Sequence, residues 1–262
     1  MYNFTYQKAG SVADAVAALA AEDAQALSGG QTLLPTLKQR LGQPSGLVDL
    51  TGIAELHGIE VGGGSVTIKG ATRHVEVEHS SDIRSAFPAL AALAGGIGDP
   101  QVRNRGTIGG SVANNDPSAC YPAACLGTGA TIMTSGGDIA ADDFFQGMFD
   151  TGLGEGQIVT GVRFPVPESA SYQKFVQPAS RFALVGVFVA KFADGVRVAV
   201  TGASESGVHR WSAAEQALSA NFSADAVPAA PGADGMIGDI HGSPEYRAHL
   251  VAVMTKRAVA AV

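Results

Sequence analysis

The feature that most limits how this chain can fold is the placement of its glycines. There are 34 in 262 residues, more than the roughly 7% of an average protein, and they gather at fixed points instead of forming a low-complexity linker. Two clusters stand out, Ser28-Gly29-Gly30-Gln31-Thr32 and Arg103-Asn104-Arg105-Gly106-Thr107-Ile108-Gly109-Gly110-Ser111. A residue without Cβ lets the main chain approach another backbone or a ligand closely. Glycine pairs at such points therefore suggest close contact with something.

The remaining composition narrows the classes. An apolar content of 46% fills a proper core and excludes a disordered or fibrous chain. A net charge of −7, with 17 Lys and Arg spread along the sequence, leaves no basic footprint for nucleic acid or an anionic membrane. The start Met1-Tyr2-Asn3-Phe4-Thr5-Tyr6 lacks a secretory pattern, and no stretch reaches the about 18 apolar residues of a membrane span. A cytoplasmic chain without membrane insertion is expected. Cys120 and Cys125 fall in one helical stretch, at a spacing that points them to different faces, so reduced thiols are expected. The histidines are scattered and no CxxC or HxxxH pair occurs, so no metal site or iron–sulfur cluster is expected on this chain.

Along the chain, Ser11 and Asp14 head a helix over 12–21, and a short strand follows over 24–27. The first glycine cluster leads into a helix over 32–41, with Leu33, Leu34, Leu37 and Leu41 on one face and Pro35 in the tolerated first turn. Leu47-Val48-Asp49-Leu50 is a strand, which makes one small α/β unit with a boundary near 56–64. Short alternating runs, Val66-Thr67-Ile68 and Gly70-Ala71-Thr72, then a helix over 86–93 ending at Gly95-Gly96, begin a second unit. The cluster 103–111 reads as a basic glycine loop. Asp116-Pro117 reads as a helix start, with Asp as cap and Pro at the first helical position. Strands are expected at 130–134 and 158–164, before an exit at Pro165-Val166-Pro167. A hairpin turning at Asp194-Gly195 joins strands 183–192 and 196–200, and helices over 212–220 and 244–260 close the chain.

The two loops admit two readings each. Gly29, Gly30, Gln31 and Thr32, between a strand and a helix, form either an ordinary tight turn or a seat for a pyrophosphate on backbone N–H groups and a helix N-terminus. The segment is neither GxGxxG nor GxxxxGK[ST], which gives no support for a Rossmann site or a P-loop. Thr107 to Ser111, with Arg103, Asn104 and Arg105 just upstream, is either an anion-binding loop or a surface turn with solvated arginines.

Three segments in order, SGGQTLLPTLK, IGDPQVRNRGTIGGSVANNDPSACYPAA and YQKFVQPASRFALVGV, resemble the FAD-binding medium subunit of molybdenum hydroxylases, the family of carbon monoxide, nicotine and xanthine dehydrogenases. The resemblance continues to Asp239-Ile240-His241-Gly242-Ser243-Pro244-Glu245-Tyr246-Arg247. It implies an α+β fold, a two-part FAD-binding domain of the vanillyl-alcohol-oxidase (PCMH) type followed by a small C-terminal α/β domain. The corresponding boundaries are 1–57, 58–175 and 176–262, with FAD extended between the first two units and the glycine loops facing each other.

By the same resemblance, Gly29, Gly30, Gln31, Thr32 and Leu33 hold the pyrophosphate through backbone amides. Thr107, Ile108, Gly109, Gly110 and Ser111 contact pyrophosphate and ribityl, Asp116 binds cofactor hydroxyls, and Lys174 approaches the flavin ring. Read from the residues alone, Asp116 is equally a helix cap and Lys174 a solvated strand residue. Thr72 and Val159 are further family contacts. Cys120 stands where many members carry an acidic residue. A branched side chain at Gly109 is expected to displace the cofactor without unfolding the chain.

The family's division of labour implies a small partner subunit with two 2Fe–2S clusters and a large molybdopterin subunit, as a dimer of heterotrimers. Electrons then leave through FAD to NAD, oxygen or a quinone, with no catalytic acid, base or nucleophile on this chain. Two other readings stand beside this one: a stand-alone flavin-dependent reductase resembling the UDP-N-acetylenolpyruvoylglucosamine reductases, and a flavin-free scaffold subunit, against which the intact glycines argue.

Overall fold

The computed structural model describes residues 1–262, and its sheets follow the changes of side-chain period along the sequence. The first unit comprises β1 (Thr5–Lys8), α1 (Val12–Leu19), β2 (Ala24–Leu27), α2 (Leu33–Lys38) and β3 (Gly46–Asp49). Its strands form a parallel sheet in the order β1-β3-β2. The central strand β3 is buried along its whole length, as a parallel strand covered on both faces requires. Ser11 caps α1 by accepting from the Asp14 amide at 3.1 Å, as its sequence predicts. Helix α2 is shorter than the leucine pattern implies, because Arg40 takes a left-handed φ of 61°. Leu41 therefore leaves the helical face and is 74% exposed.

The second unit begins with the hairpin β4 (Ile59–Gly62) and β5 (Ser65–Lys69). Helices α3 (His74–His79), α4 (Ser81–Ala86), α5 (Pro88–Gly95), α6 (Pro100–Arg103), α7 (Ile108–Asn114) and α8 (Cys120–Thr128) follow. The unit closes with β6 (Thr131–Thr134), β7 (Gly137–Ala140), α9 (Ala141–Phe144), the small hairpin β8 (Phe145–Gly147) and β9 (Asp150–Thr151), and β10 (Val159–Pro165). The sheet order is β4-β5-β10-β6-β7, antiparallel throughout. Gly70-Ala71-Thr72 is a turn after β5 and not a strand, fixed where the Thr72 hydroxyl donates to Gly58 O and accepts from Gly58 N.

Two expectations fail around the second glycine cluster. The segment 103–111 is not one loop: Arg103 ends α6, and Thr107 caps α7, so Gly109 and Gly110 lie in a first helical turn. Asp116 does not cap the next helix, which starts at Cys120 after Ala119. Asn115 ends α7 in the left-handed region, and the Asp116 carboxylate instead accepts from Ser118 N at 2.8 Å. Pro117 O is taken by Gly202 N at 2.7 Å and by the Thr201 hydroxyl at 2.8 Å. That long-range demand holds 116–119 as a turn.

The third unit is an antiparallel sheet of β11 (Ser169–Val176), β12 (Ala183–Phe192), β13 (Gly195–Thr201) and β14 (His209–Arg210), with helices α10 (Ser212–Ala220) and α11 (Pro244–Ala260). Because β11 pairs with β12 along its length, a boundary at 175/176 would cut through this sheet. The sheets part at 166–168. The hairpin register pairs Phe192 with Gly195, so its turn residues are Ala193 and Asp194, one position earlier than expected. Alternation along β12 divides two cores: Phe188 and Ala190 pack with the second unit, while Val185, Val187 and Val189 pack with α10 and α11. No helix is long and apolar enough to cross a membrane.

Within the third unit, Arg247 is 1% exposed. Its guanidinium donates to Leu184 O and Gly202 O, each at 2.7 Å, and pairs with Asp239 at 2.7 Å. Replacing it with an apolar chain leaves two buried carbonyls without donors. Arg247→Met is expected to lower the unfolding free energy by about 3 kcal/mol, whereas Asp239→Asn, at a more exposed partner, is expected to cost under about 1 kcal/mol. Urea denaturation of both variants checks this, and equal losses would mean that the arginine acts through Asp239 alone.

Candidate functional site

The two glycine clusters meet. A Cβ built on Gly29 would lie 2.3 Å from Arg105 O and 2.7 Å from the Gly106 Cα, and one on Gly109 would lie 2.6 Å from Gly70 O. All three distances are far inside van der Waals contact, so only glycine permits these backbones to touch. Gly70 in turn abuts β10, where a Cβ would come within 2.2 Å of Val159 O. Across the same seam the Ser28 and Thr107 hydroxyls are hydrogen-bonded at 2.9 Å.

Beside this seam runs a cleft of about 870 Å³, within the roughly 300–1,000 Å³ range of cofactor sites. The first unit contributes Ser28 to Leu33, the second Thr107, Gly109, Gly110, Ser111 and Asp116, and β11 of the third contributes Lys174. The sequence-derived site residues thus share one cleft, with the exception of Ile108, which is fully buried in the second unit's core. Of the further contacts, Val159 lines the cleft. Thr72 does not, its hydroxyl being committed to Gly58.

The two loops differ in what they offer. No backbone N–H from Gly29 to Leu33 donates within the chain, and the first bond of the following helix is Leu34 N to Gly30 O at 3.1 Å. Gly30, at φ 70°, is what turns this row of amides into one concave surface. Helix α2 has only 6 residues, so the amides themselves, more than a long helix dipole, are the donors. In the second loop the amides are already used. Ile108 N donates to Thr72 O, Gly109 N to Gly70 O at 2.8 Å, Gly110 N to the Thr107 hydroxyl and Ser111 N to Thr107 O. That loop offers the cleft a hydroxyl at Ser111 and a surface free of Cβ.

The basic residues upstream play a different part from the one their clustering suggests. Arg103 pairs with Glu78 at 2.8 Å and donates to Ile97 O, and Asn104 donates to Pro100 O. Neither these two nor Arg105 lines the cleft. Two positive groups do line the wall, Arg181 and Lys174, and the Lys174 Nζ donates to Gly96 O at 2.9 Å and lies 3.5 Å from Cys120 Sγ. Asp116 keeps one carboxylate oxygen on Ser118 N. No cluster of three or more His, Cys, Asp or Glu is placed to hold a metal ion, and Cys120 and Cys125 are both free and buried.

Several lining residues escaped the sequence reading, among them His74, Ser118, Gln157, Arg181 and Phe182. Phe182 and Arg181 follow Lys174 closely and belong to a quoted motif segment, so its reach was the available signal. His74 opens a short helix that ends on a second histidine, His79, and nothing in that spacing marks it.

A sequence profile described as the FAD binding domain in molybdopterin dehydrogenase matches residues 2–167. The chain is 33% identical to the carbon monoxide dehydrogenase medium chain of Hydrogenophaga pseudoflava, covering 98% of this chain and 96% of that one. It is 33% identical to the nicotine 6-hydroxylase medium subunit of Paenarthrobacter nicotinovorans, covering 97% and 95%. Among solved structures it is similar to the carbon monoxide dehydrogenase of Hydrogenophaga pseudoflava (TM-score 0.89, 33% identity, 99% and 97% coverage). The quinoline 2-oxidoreductase of Pseudomonas putida 86 is equally similar in shape (TM-score 0.89, 28% identity, 99% and 96%). With the whole chain matched and the glycine loops assembled into one cleft, this protein belongs to the family of FAD-binding medium subunits of molybdenum hydroxylases, and is an oxidoreductase subunit.

Proposed function

We propose that the cleft holds FAD and that the chain is the electron outlet of a larger enzyme, taking electrons from the 2Fe–2S clusters of a small partner subunit and passing them to NAD, oxygen or a quinone. The observation that carries this is the row of undonated amides from Gly29 to Leu33, held against the second glycine loop beside a cleft of cofactor size. When bound, FAD supplies one-electron exchange with clusters and two-electron delivery to an acceptor. The chain's part is to bind, orient and set charge.

In this reading the Gly29, Gly30, Gln31, Thr32 and Leu33 amides donate to the diphosphate, and the Ser111 hydroxyl and the smooth face at Gly109 and Gly110 adjoin it. Thr107 ties the two loops together, and Ile108 acts only by anchoring α7 in the core. Asp116 accepts from cofactor hydroxyls through the carboxylate oxygen that Ser118 leaves free. Lys174, anchored on Gly96 O, puts a positive charge in the wall and favours an anionic, reduced ring.

The units divide as a PCMH-type FAD-binding pair, 1–57 and 58 to about 167, and a C-terminal domain from about 168, a division supported by the sheet pairing. The assembly is a dimer of heterotrimers with a large molybdopterin subunit, a reading supported by relatives named as medium chains of larger enzymes. A cytoplasmic location fits the two free thiols.

Titration of the full chain with FAD, read by flavin absorption and fluorescence, tests the cleft. Gly110 faces the gap toward Ser28, where a Cβ meets only Thr107 Oγ1 at 3.1 Å. Gly110→Val is therefore expected to fold and to bind FAD at least about tenfold more weakly. Gly109→Val is expected to unfold the second unit, since its Cβ would strike the Gly70 backbone, which corrects the expectation that it acts on the cofactor alone. No flavin bands with the folded wild-type chain, or unchanged affinity in Gly110→Val, would refute the reading.

Lys174→Met is expected to keep FAD and lower the flavin potential on the order of 30 mV, the two-electron equivalent of about 1.4 kcal/mol. Spectroelectrochemistry of the assembled complex measures this. An unchanged potential would remove Lys174 from the electron outlet.

A further inference from the structure

Among the polar side chains of the cleft wall that the arrangement above leaves unused is His74, which is buried. His74 opens α3, is 4% exposed and lines the cleft. Its main-chain N–H donates to Gly106 O at 3.0 Å. Its ring lies against the same residue, so that a Cβ on Gly106 would come within 2.6 Å of His74 Nε2. Gly106 is also the residue on which Gly29 packs. The imidazole therefore adjoins the residue against which the amide-bearing loop packs, and shares its cleft.

Two groups on other elements pack around it. Arg103 on α6 is held by Glu78 at 2.8 Å. Tyr121 on α8 has its ring centroid 5.4 Å from that of His74. Both His74 Nδ1 and the Tyr121 hydroxyl are sealed from solvent without a hydrogen-bond partner. Burial, and then the Arg103 charge, push the histidine pKa down to about 4, so near pH 7 the ring is neutral, with one donor nitrogen and one acceptor. Nδ1 is sealed inside the protein, whereas Nε2, on the Gly106 side of the ring, is not. With the proton on Nε2, the ring presents its donor at the nitrogen that is not sealed.

We propose that His74 is a further cofactor-binding residue, whose Nε2–H donates to an anionic oxygen of the diphosphate seated on the Gly29–Leu33 amides. The assignment rests on the FAD reading of the cleft. A neutral donor suits the place: it gives a charge-assisted bond to the anion without bringing a second cation against Arg103.

The test is calorimetric titration of the full-length chain, wild type, His74→Leu and His74→Gln, with FAD, ADP and riboflavin as separate probes. His74→Leu is expected to weaken FAD and ADP by the same factor, about tenfold or more, and to leave riboflavin unchanged, with His74→Gln recovering part of the loss. If His74→Leu fails to fold, imidazole nitrogen NMR of the wild type decides: ADP should shift the Nε2–H resonance, and an unmoved resonance would overturn the proposal. Wild-type chain that binds neither FAD nor ADP would instead overturn the FAD reading of the cleft. Wild-type binding with equal affinity in His74→Leu would overturn only the role of His74.

Discussion

The structure depends on a chain of backbone contacts that tolerate no Cβ. Gly29 on Arg105 and Gly106, Gly109 on Gly70, and Gly70 on Val159 join the first unit to α7, to the turn after β5 and to β10. Each glycine costs the folded chain roughly 0.5–1 kcal/mol of extra backbone entropy. That cost is offset where close approach lets other groups bond, as it does here: Gly109 N reaches Gly70 O, Ile108 N reaches Thr72 O, and Ser28 reaches Thr107. The seam is thus a small sheet-like exchange of hydrogen bonds between non-strand segments. Its contacts lie within the chain and position the cleft.

That positioning explains why two loops of similar composition do different work. In the second, the Ile108 and Gly109 amides are spent on the seam and the Gly110 and Ser111 amides on Thr107 in the first turn of α7, so the loop offers only shape and a hydroxyl. In the first, the amides from Gly29 to Leu33 are left over, and the seam fixes where they point. Donors held in place by other contacts bind an anion without a further ordering cost. A loop that held itself and also donated its amides would need twice as many N–H groups as either segment has.

What could be read from the sequence was what local physics decides. The Ser11 cap, the apolar run that forms β12 and the Pro244–Ala260 helix are set by neighbours a few residues away, and each agrees with its pattern. The glycine clusters pointed to the cleft because close backbone approach leaves a compositional trace. The failures share a cause, long-range partners. Asp116-Pro117 has the chemistry of a helix start, but Thr201 and Gly202 claim the Pro117 carbonyl across more than 80 positions. Arg103 looks like an anion ligand until Glu78 is placed beside it. Arg40 ends α2 early in a left-handed conformation that nothing in a leucine repeat foretells.

The same long-range bonds tie the third unit to the site. Lys174 reaches Gly96 O only because β11 is held by β12. β12 is in turn fixed to the second unit by Phe188 and Ala190 in its core, and β13 by the Thr201 hydroxyl on Pro117 O and Ala119 O. One face of a single strand therefore sets the distance between the lysine and the glycine seam, while its other face packs on the helices that Arg247 braces. Loosening those helices would move the Lys174 charge in the wall without touching the amide row. The place of the amide row and the place of the Lys174 charge are therefore separable properties of the cleft, carried by different units and limited by different contacts.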